Sequence, residues 1–198
     1  MREPLREILK STLVLFLICS LITFGLAFTN AATKEKIDEM IKIEQENARK
    51  KVLEEAQSFE EIILKDEITD PDTGIVKEAY KGIKHQEVVG NVYLLQNKGY
   101  GGSITITVGV DVEGRITGID IGDNSETPGL GSKAAEEPFI SQFRGIIPKE
   151  PLSIVKGGKI KDEQIDAISS ATITSKAVME AVQAALDTDS KLKKMGGT

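Results

Sequence analysis

The chain has almost none of the residues that carry redox or metal chemistry unaided. Its 198 residues include one cysteine and one histidine. Cys19 has no partner for an intrachain disulfide, and without a Cys-x-x-Cys pair there is no thiolate set for zinc or an iron–sulfur cluster. His85 stands in the polar stretch Gly82-Ile83-Lys84-His85-Gln86-Glu87, where a surface imidazole without a role is the plain reading. Positive charge is also short: the formal net charge is −6 and no basic stripe is visible. This argues against a nucleic-acid partner, because phosphate backbones demand clustered Lys and Arg. Internal repeats, a metal-ligand set and an acid–base catalyst are absent from the pattern. Any electron chemistry done here must use a group the chain does not make itself.

What is present begins with an uncharged run. Residues 11–33 carry no charge and centre on Leu13-Val14-Leu15-Phe16-Leu17-Ile18-Cys19-Ser20-Leu21-Ile22, long enough for a membrane-spanning helix, which needs about 20 mostly apolar residues. Arg2, Arg6 and Lys10 precede it, so the positive-inside rule puts the N-terminus in the cytoplasm and everything after Lys34 outside. A cleaved signal peptide with Ala31 and Ala32 at its processing site is the alternative, but the run exceeds the usual apolar length of one. Cys19 falls mid-span behind Ile18, so it reads as a buried membrane cysteine and not as a lipoprotein site. The remaining length suits one domain with a real core, and 40% apolar with 28% charged residues is ordinary for one.

From 34 to about 65 the chain is charged but periodic, with Ile37, Met40, Ile41, Ala48, Val52, Ala56, Phe59 and Ile63 at roughly helical spacing. The spacing predicts one long amphipathic helix or two, lifting the domain off the membrane. Asp70-Pro71-Asp72-Thr73-Gly74 then reads as a plain turn, since it lacks calcium-loop spacing. Val88 to Leu95 is β-prone. Ile104, Ile106, Val108, Val110 and Val112 alternate with Thr105, Thr107 and Asp111, which predicts a half-buried strand. Glu113-Gly114 turns it into Arg115 to Ile121 as an antiparallel hairpin. A helical stretch from Ser132 carries Phe139, Ile140 and Phe143 inward. Ser153 to Ile160 reads as a short strand, with Gly157-Gly158-Lys159 as a hairpin turn, and 193–198 as a frayed tail.

The most informative stretch is Asp166-Ala167-Ile168-Ser169-Ser170-Ala171-Thr172-Ile173-Thr174-Ser175. It runs into Lys176 to Leu186, where Ala177, Val178, Ala181, Val182 and Ala185 mark one helix face. The hydroxyls therefore sit at a helix N-terminus, where unpaired N–H groups and the macrodipole favour a phosphate. Thr174 or Ser175 capping the helix is the alternative use of the same residues. A Gly-x-Gly-x-x-Ala from Gly129 is no dinucleotide fingerprint, because loop residues and not a strand precede it.

Three motifs together resemble the FMN-binding domain family, and within it most closely the G subunits of Rnf electron-transport complexes. Asp166 to Thr172 is similar to that family's Asp-x-x-Ser/Thr-Gly-Ala-Thr flavinylation motif, with Ser170 where the family usually has Gly. Glu126-Thr127-Pro128-Gly129-Leu130-Gly131 resembles its second signature, and Lys98-Gly99-Tyr100-Gly101-Gly102 a third. The resemblance implies FMN joined by a flavin transferase, through its phosphate, to Thr172, with Asp166 and Ser169 helping the transferase recognise the site. It implies further flavin contacts from Ser169, Ser170, Ala171, Thr174, Glu126, Thr127 and Leu130, while Tyr100 could lie near the ring or pack on the sheet. Such a flavin passes one or two electrons, and the covalent link keeps it from diffusing away outside the membrane.

The implied plan is a cytoplasmic N-terminus 1–10, an anchor 11–33, a helical membrane-proximal segment 34–80, an FMN-binding domain 81–192 and the tail. The expected fold is α+β, an antiparallel sheet with helices packed against it. The resemblance implies membrane partners in a complex that oxidises ferredoxin, reduces NAD and moves sodium or protons. The C subunit of sodium-pumping NADH:quinone reductase shares these motifs, and a cofactor-free anchored scaffold is the reading from another class.

Overall fold

The structure is a computed structural model that describes residues 2–64, 75–158 and 160–195. The predicted turn at 70–74, Lys159 and residues 196–198 lie outside the described residues. The chain forms two compact units, Met1–Gln45 and Glu46–Thr198.

Within the first unit the chain is one helix, α1 (Arg2–Val52), which runs on into the second. The stretch from Ile8 is long and apolar enough to cross a membrane, with a mean hydropathy of 2.3 over its best window. Leu13, Phe16, Leu21, Phe24 and Phe28 are all exposed, so no protein core claims them. Thr12, Thr29 and Thr33 turn their hydroxyls back onto the carbonyls of Ile8, Gly25 and Thr29 at 2.9 Å. In hydrocarbon a polar group must be satisfied internally, and these are.

In the second unit the helix does not continue to residue 65 as its spacing predicts. It ends at Val52, and the chain pairs instead as β1 (Ser58–Ile62) with β2 (Val76–Lys84). The segment 34–80 is therefore part helix and part sheet. Phe59 fits a helical series and a strand face equally well, and pairing with β2 decides between them. β3 (Glu87–Lys98), β4 (Ser103–Asp111) and β5 (Ile116–Asn124) complete an antiparallel meander in the order β1-β2-β3-β4-β5. His85 and Gln86, at φ 50° and 69°, make the two-residue β2–β3 turn, whose twist needs left-handed residues.

The predicted alternation of β4 holds through Val110. Ile104, Ile106, Val108 and Val110 are fully buried, with Tyr93 and Leu95 of β3, against Ala177, Val178, Ala181, Val182 and Ala185 of α3 (Thr172–Met195). Each Ile or Val so buried contributes roughly 1.5–3 kcal/mol. Val112 departs from the series and is exposed, because Asp111 ends the strand: its Oδ1 accepts from Glu113 N–H and Arg115 N–H, both at 2.9 Å.

The opposite face of the sheet is covered by Val52 and Leu53, packed with Val92 and Phe59. A Cβ on Gly109 would stand 2.3 Å from the Val52 carbonyl, and one on Gly82 would stand 2.4 Å from a Leu53 methyl. Glycine at these places lets the helix end approach the sheet.

After β5 come a 3-10 turn (Gly131–Ala135), a short helix α2 (Glu137–Ile140) and two three-residue strands, β6 (Ser153–Val155) and β7 (Gln164–Asp166). Phe139, Ile140 and Phe143 point inward as predicted. β6 and β7 pair in parallel, so the two strands do not form the hairpin expected around Gly157-Gly158, Lys159 lying outside the described residues. The tail is also shorter than its charge suggests. α3 runs through Met195, and Lys193 is held by Asp189 at 2.7 Å and by the Asp111 carbonyl at 3.1 Å. The observed α+β fold is the expected one.

Candidate functional site

Three loops far apart in sequence converge at one end of α3. The first, 99–102, joins β3 to β4 and is closed by Gly99 N–H donating to the Gly102 carbonyl at 2.7 Å. The second follows β5 and carries Glu126 to Gly131. The third leads from β7 into the first turn of α3.

Glu126 is where they meet. It is buried, at 7% exposure. Its Oε1 accepts from Gly101 N–H at 3.0 Å and its Oε2 from the Thr174 hydroxyl at 2.6 Å. Bonds of this kind to a charged group are each worth roughly 1.5–3 kcal/mol. A Cβ on Gly99 would lie 2.2 Å from Oε1, and one on Gly131 would lie 2.3 Å from Oε2. The glycines of two motifs thus make room for one carboxylate. Among the described residues no Lys, Arg or His pairs with it.

The hydroxyls at the start of α3 divide by what they bond. Ser175, fully buried, accepts from Ile168 N–H at 3.0 Å and donates to the Ala171 carbonyl at 2.9 Å. Thr174 is spent on Glu126. Both lie inside the first helical turn, so neither caps the helix. Thr172 opens the helix, half-buried, and its hydroxyl has no partner among the described residues. Ser169 and Ser170 are exposed.

Ser170 takes φ 65°, the left-handed conformation that glycine adopts freely and other residues at a cost of roughly 1–2 kcal/mol. The backbone follows the path a glycine would give. Asp166 is clasped from two sides. Its Oδ1 accepts from Gly157 N–H at 3.1 Å, and Gln142 bonds its N–H at 2.7 Å and its carbonyl at 3.2 Å.

Two cavities meet at Thr172. The larger, about 510 Å³, is lined by Tyr100, Glu126, Thr127, Leu130, Gly131 and residues 170–174. Every residue nominated from sequence for the cofactor lines it except Ser169. That serine lies on the smaller cavity, about 350 Å³, with Lys156, Gly157 and Asp166, while Ser170 and Thr172 line both. Tyr100 is 71% exposed, Ile173 57% and Leu130 41%, so three apolar surfaces are left uncovered around the larger space.

Ile173, Gly131, Lys156 and Gln142 are additions that sequence reasoning missed. Ile173 carried a signal, an apolar side chain inside a run of hydroxyls, and Gly131 closes the second signature, whereas nothing local marks Lys156 or Gln142. The volume lies in the range of roughly 300–1,000 Å³ usual for small-molecule sites. Apolar walls suit the faces of a flat ring, and a free hydroxyl at the edge suits an ester link. The residues present fit FMN.

Comparison with known proteins agrees with this geometry. Residues 99–187 match the FMN-binding domain, and residues 1–53 match the RnfG N-terminal region. Over 197 residues the chain is 38% identical to the G subunit of the Na(+)-translocating ferredoxin:NAD(+) oxidoreductase complex of Acetobacterium woodii, covering 96% of this chain and 95% of that one. It is 33% identical over 184 residues to the G subunit of the ion-translocating oxidoreductase complex of Methanosarcina acetivorans, covering 92% and 94%. The crystal structure of Shewanella oneidensis NqrC shares the fold, with a TM-score of 0.50 at 22% identity over 68% of this chain and 69% of that one. At that identity the likeness speaks for the fold alone. Matched from the apolar helix to the end of the flavin-type domain, the chain belongs to the family of G subunits of Rnf-type ion-translocating oxidoreductase complexes.

Proposed function

We propose that this chain carries FMN as a phosphoester on Thr172 and serves as the electron-transfer subunit of an Rnf-type ion-translocating oxidoreductase complex. It is anchored by one membrane span, with the flavin domain on the extracytoplasmic side. The observation that carries the reading is the division among hydroxyls: Thr174 and Ser175 are internally bonded, while Thr172 is free, half-buried and on the edge of a cavity that fits the ring.

Bound there, FMN would supply one- and two-electron transfer. The chain's own part is to hold it. Tyr100, Leu130 and Ile173 offer the ring apolar surface, and Glu126 ties the two loops to the helix. The N–H groups of the first turn of α3, which have no intrahelical partner, would favour the phosphate. Asp166 and Ser169 line the smaller cavity, apart from the ring side, which supports their assignment to recognition by the flavin transferase.

Arg2, Arg6 and Lys10 ahead of the apolar run support the orientation. Likeness along the full length to G subunits, against a likeness of fold alone to NqrC, favours the Rnf complex over the NADH:quinone reductase. The test is intact mass with in-gel flavin fluorescence of protein co-expressed with a flavin transferase, beside Thr172→Ala. The expected result is one FMN, less a water, on wild type and none on the variant. Flavin retained by Thr172→Ala would remove the assignment.

A further inference from the structure

We infer that Glu126 lowers the reduction potential of the flavin, by standing as a fixed, buried negative charge on the wall of the larger cavity. The inference rests on the reading that FMN occupies that cavity. Four observations carry it. Glu126 lines the cavity and is 7% exposed, so little water screens it. Both of its oxygens act as acceptors, from Gly101 N–H and the Thr174 hydroxyl, the pattern of a carboxylate. Among the described residues no ion pair to it is found, and no Lys or Arg lines its cavity, Lys156 standing on the adjoining one. Its two hydrogen bonds hold it in place, in space that is open because positions 99 and 131 are glycine.

An electron delivered to the flavin by a one-electron donor adds a negative charge to this cavity unless a proton follows it. A carboxylate on the wall opposes that charge, so the oxidised flavin is favoured and the potential falls. The two donors set how much of the charge is felt. Removing the carboxylate's charge and removing one of its donors must therefore shift the potential in opposite directions.

The experiment uses the full chain in detergent, co-expressed with a flavin transferase. Flavin content is first measured by intact mass, and the midpoint potential is then measured by spectroelectrochemical titration. Glu126→Gln keeps the shape and removes the charge. It is expected to raise the equilibrium constant for the first electron about tenfold, the scale of one charge about 12 Å away at an effective dielectric of about 20. That is about 59 mV in the positive direction. Thr174→Val deletes one donor to the carboxylate and is expected to lower the same constant about threefold.

A role confined to holding the loops would move both variants the same way or neither. Fully loaded Glu126→Gln at the wild-type potential would overturn the inference, and so would a positive shift in Thr174→Val. Should Glu126→Gln fail to load, Thr174→Val alone decides, a negative shift supporting the inference and any other result overturning it. A wild-type protein without flavin would overturn the underlying reading and this one with it.

Discussion

The two ends of α3 each bury a carboxylate, and they treat it in opposite ways. At the C-terminal end Asp189, 3% exposed, is fully provided for. Tyr93 donates its hydroxyl at 2.8 Å, Asn91 its amide at 2.9 Å and Lys193 its ammonium at 2.7 Å. Burial first, and Asp189 second, push the Tyr93 hydroxyl well above the ordinary tyrosine range. At the N-terminal end Glu126 has one hydroxyl, one backbone N–H and no cation, beside a cavity, a left-handed serine and an unbonded threonine. A satisfied buried network fastens an element. Strain and unmet bonding capacity gathered in one place mark the end where a ligand belongs.

Breaking the closed end should therefore cost stability and leave flavin loading alone. Asp189→Ala strands Tyr93, Asn91 and Lys193 around a void, so a loss of roughly 3–5 kcal/mol is expected from urea unfolding. A loss below about 1 kcal/mol would erase the contrast between the ends.

Tyr93→Phe sharpens it through pH. Because the folded state holds this phenol protonated above its ordinary pKa of about 10, its contribution is intact below pH 10. It is lost as pH rises beyond that, because the unfolded chain then ionises first. Wild type should lose stability steeply above about pH 10. The variant should start roughly 1 kcal/mol lower at neutral pH, with a flatter alkaline slope in pH-dependent unfolding.

The smallest change belongs to the open end. Ser170→Gly removes the left-handed penalty and should raise stability by roughly 1 kcal/mol in thermal unfolding, with flavin content by mass unchanged. A destabilised variant would mean that the serine side chain holds something its exposure does not reveal.

Much of the scaffold could be read from local pattern. The charge-free run, the β4–β5 hairpin and the Ala177-to-Ala185 face of α3 each declare themselves through a repeat that a single element must satisfy. What escaped was decided by partners elsewhere. β1 carries apolar residues that a helix would place as well, and only its pairing with β2 settles the matter. The parallel run of β6 and β7 depends on three residues each, too few for any repeat to show. In the site, the motifs were visible but not their joint. Gly99, Gly101 and Gly131 look like ordinary loop glycines until Glu126 is seen between them, bonded to a threonine 48 positions along the chain.

That joint bears on how portable the attachment site is. On the function proposed above, a designer who copied residues 166–175 onto another protein would transfer the proposed acceptor, Thr172, and the proposed recognition residues, but no seat for the ring. The seat is distributed: the 99–102 loop and the 126–131 loop close on one carboxylate, and that carboxylate closes on α3. A flavin on such a graft would hang from its phosphate in open water, attached but not housed. To move the function, all three segments must travel together, with the distances between them preserved.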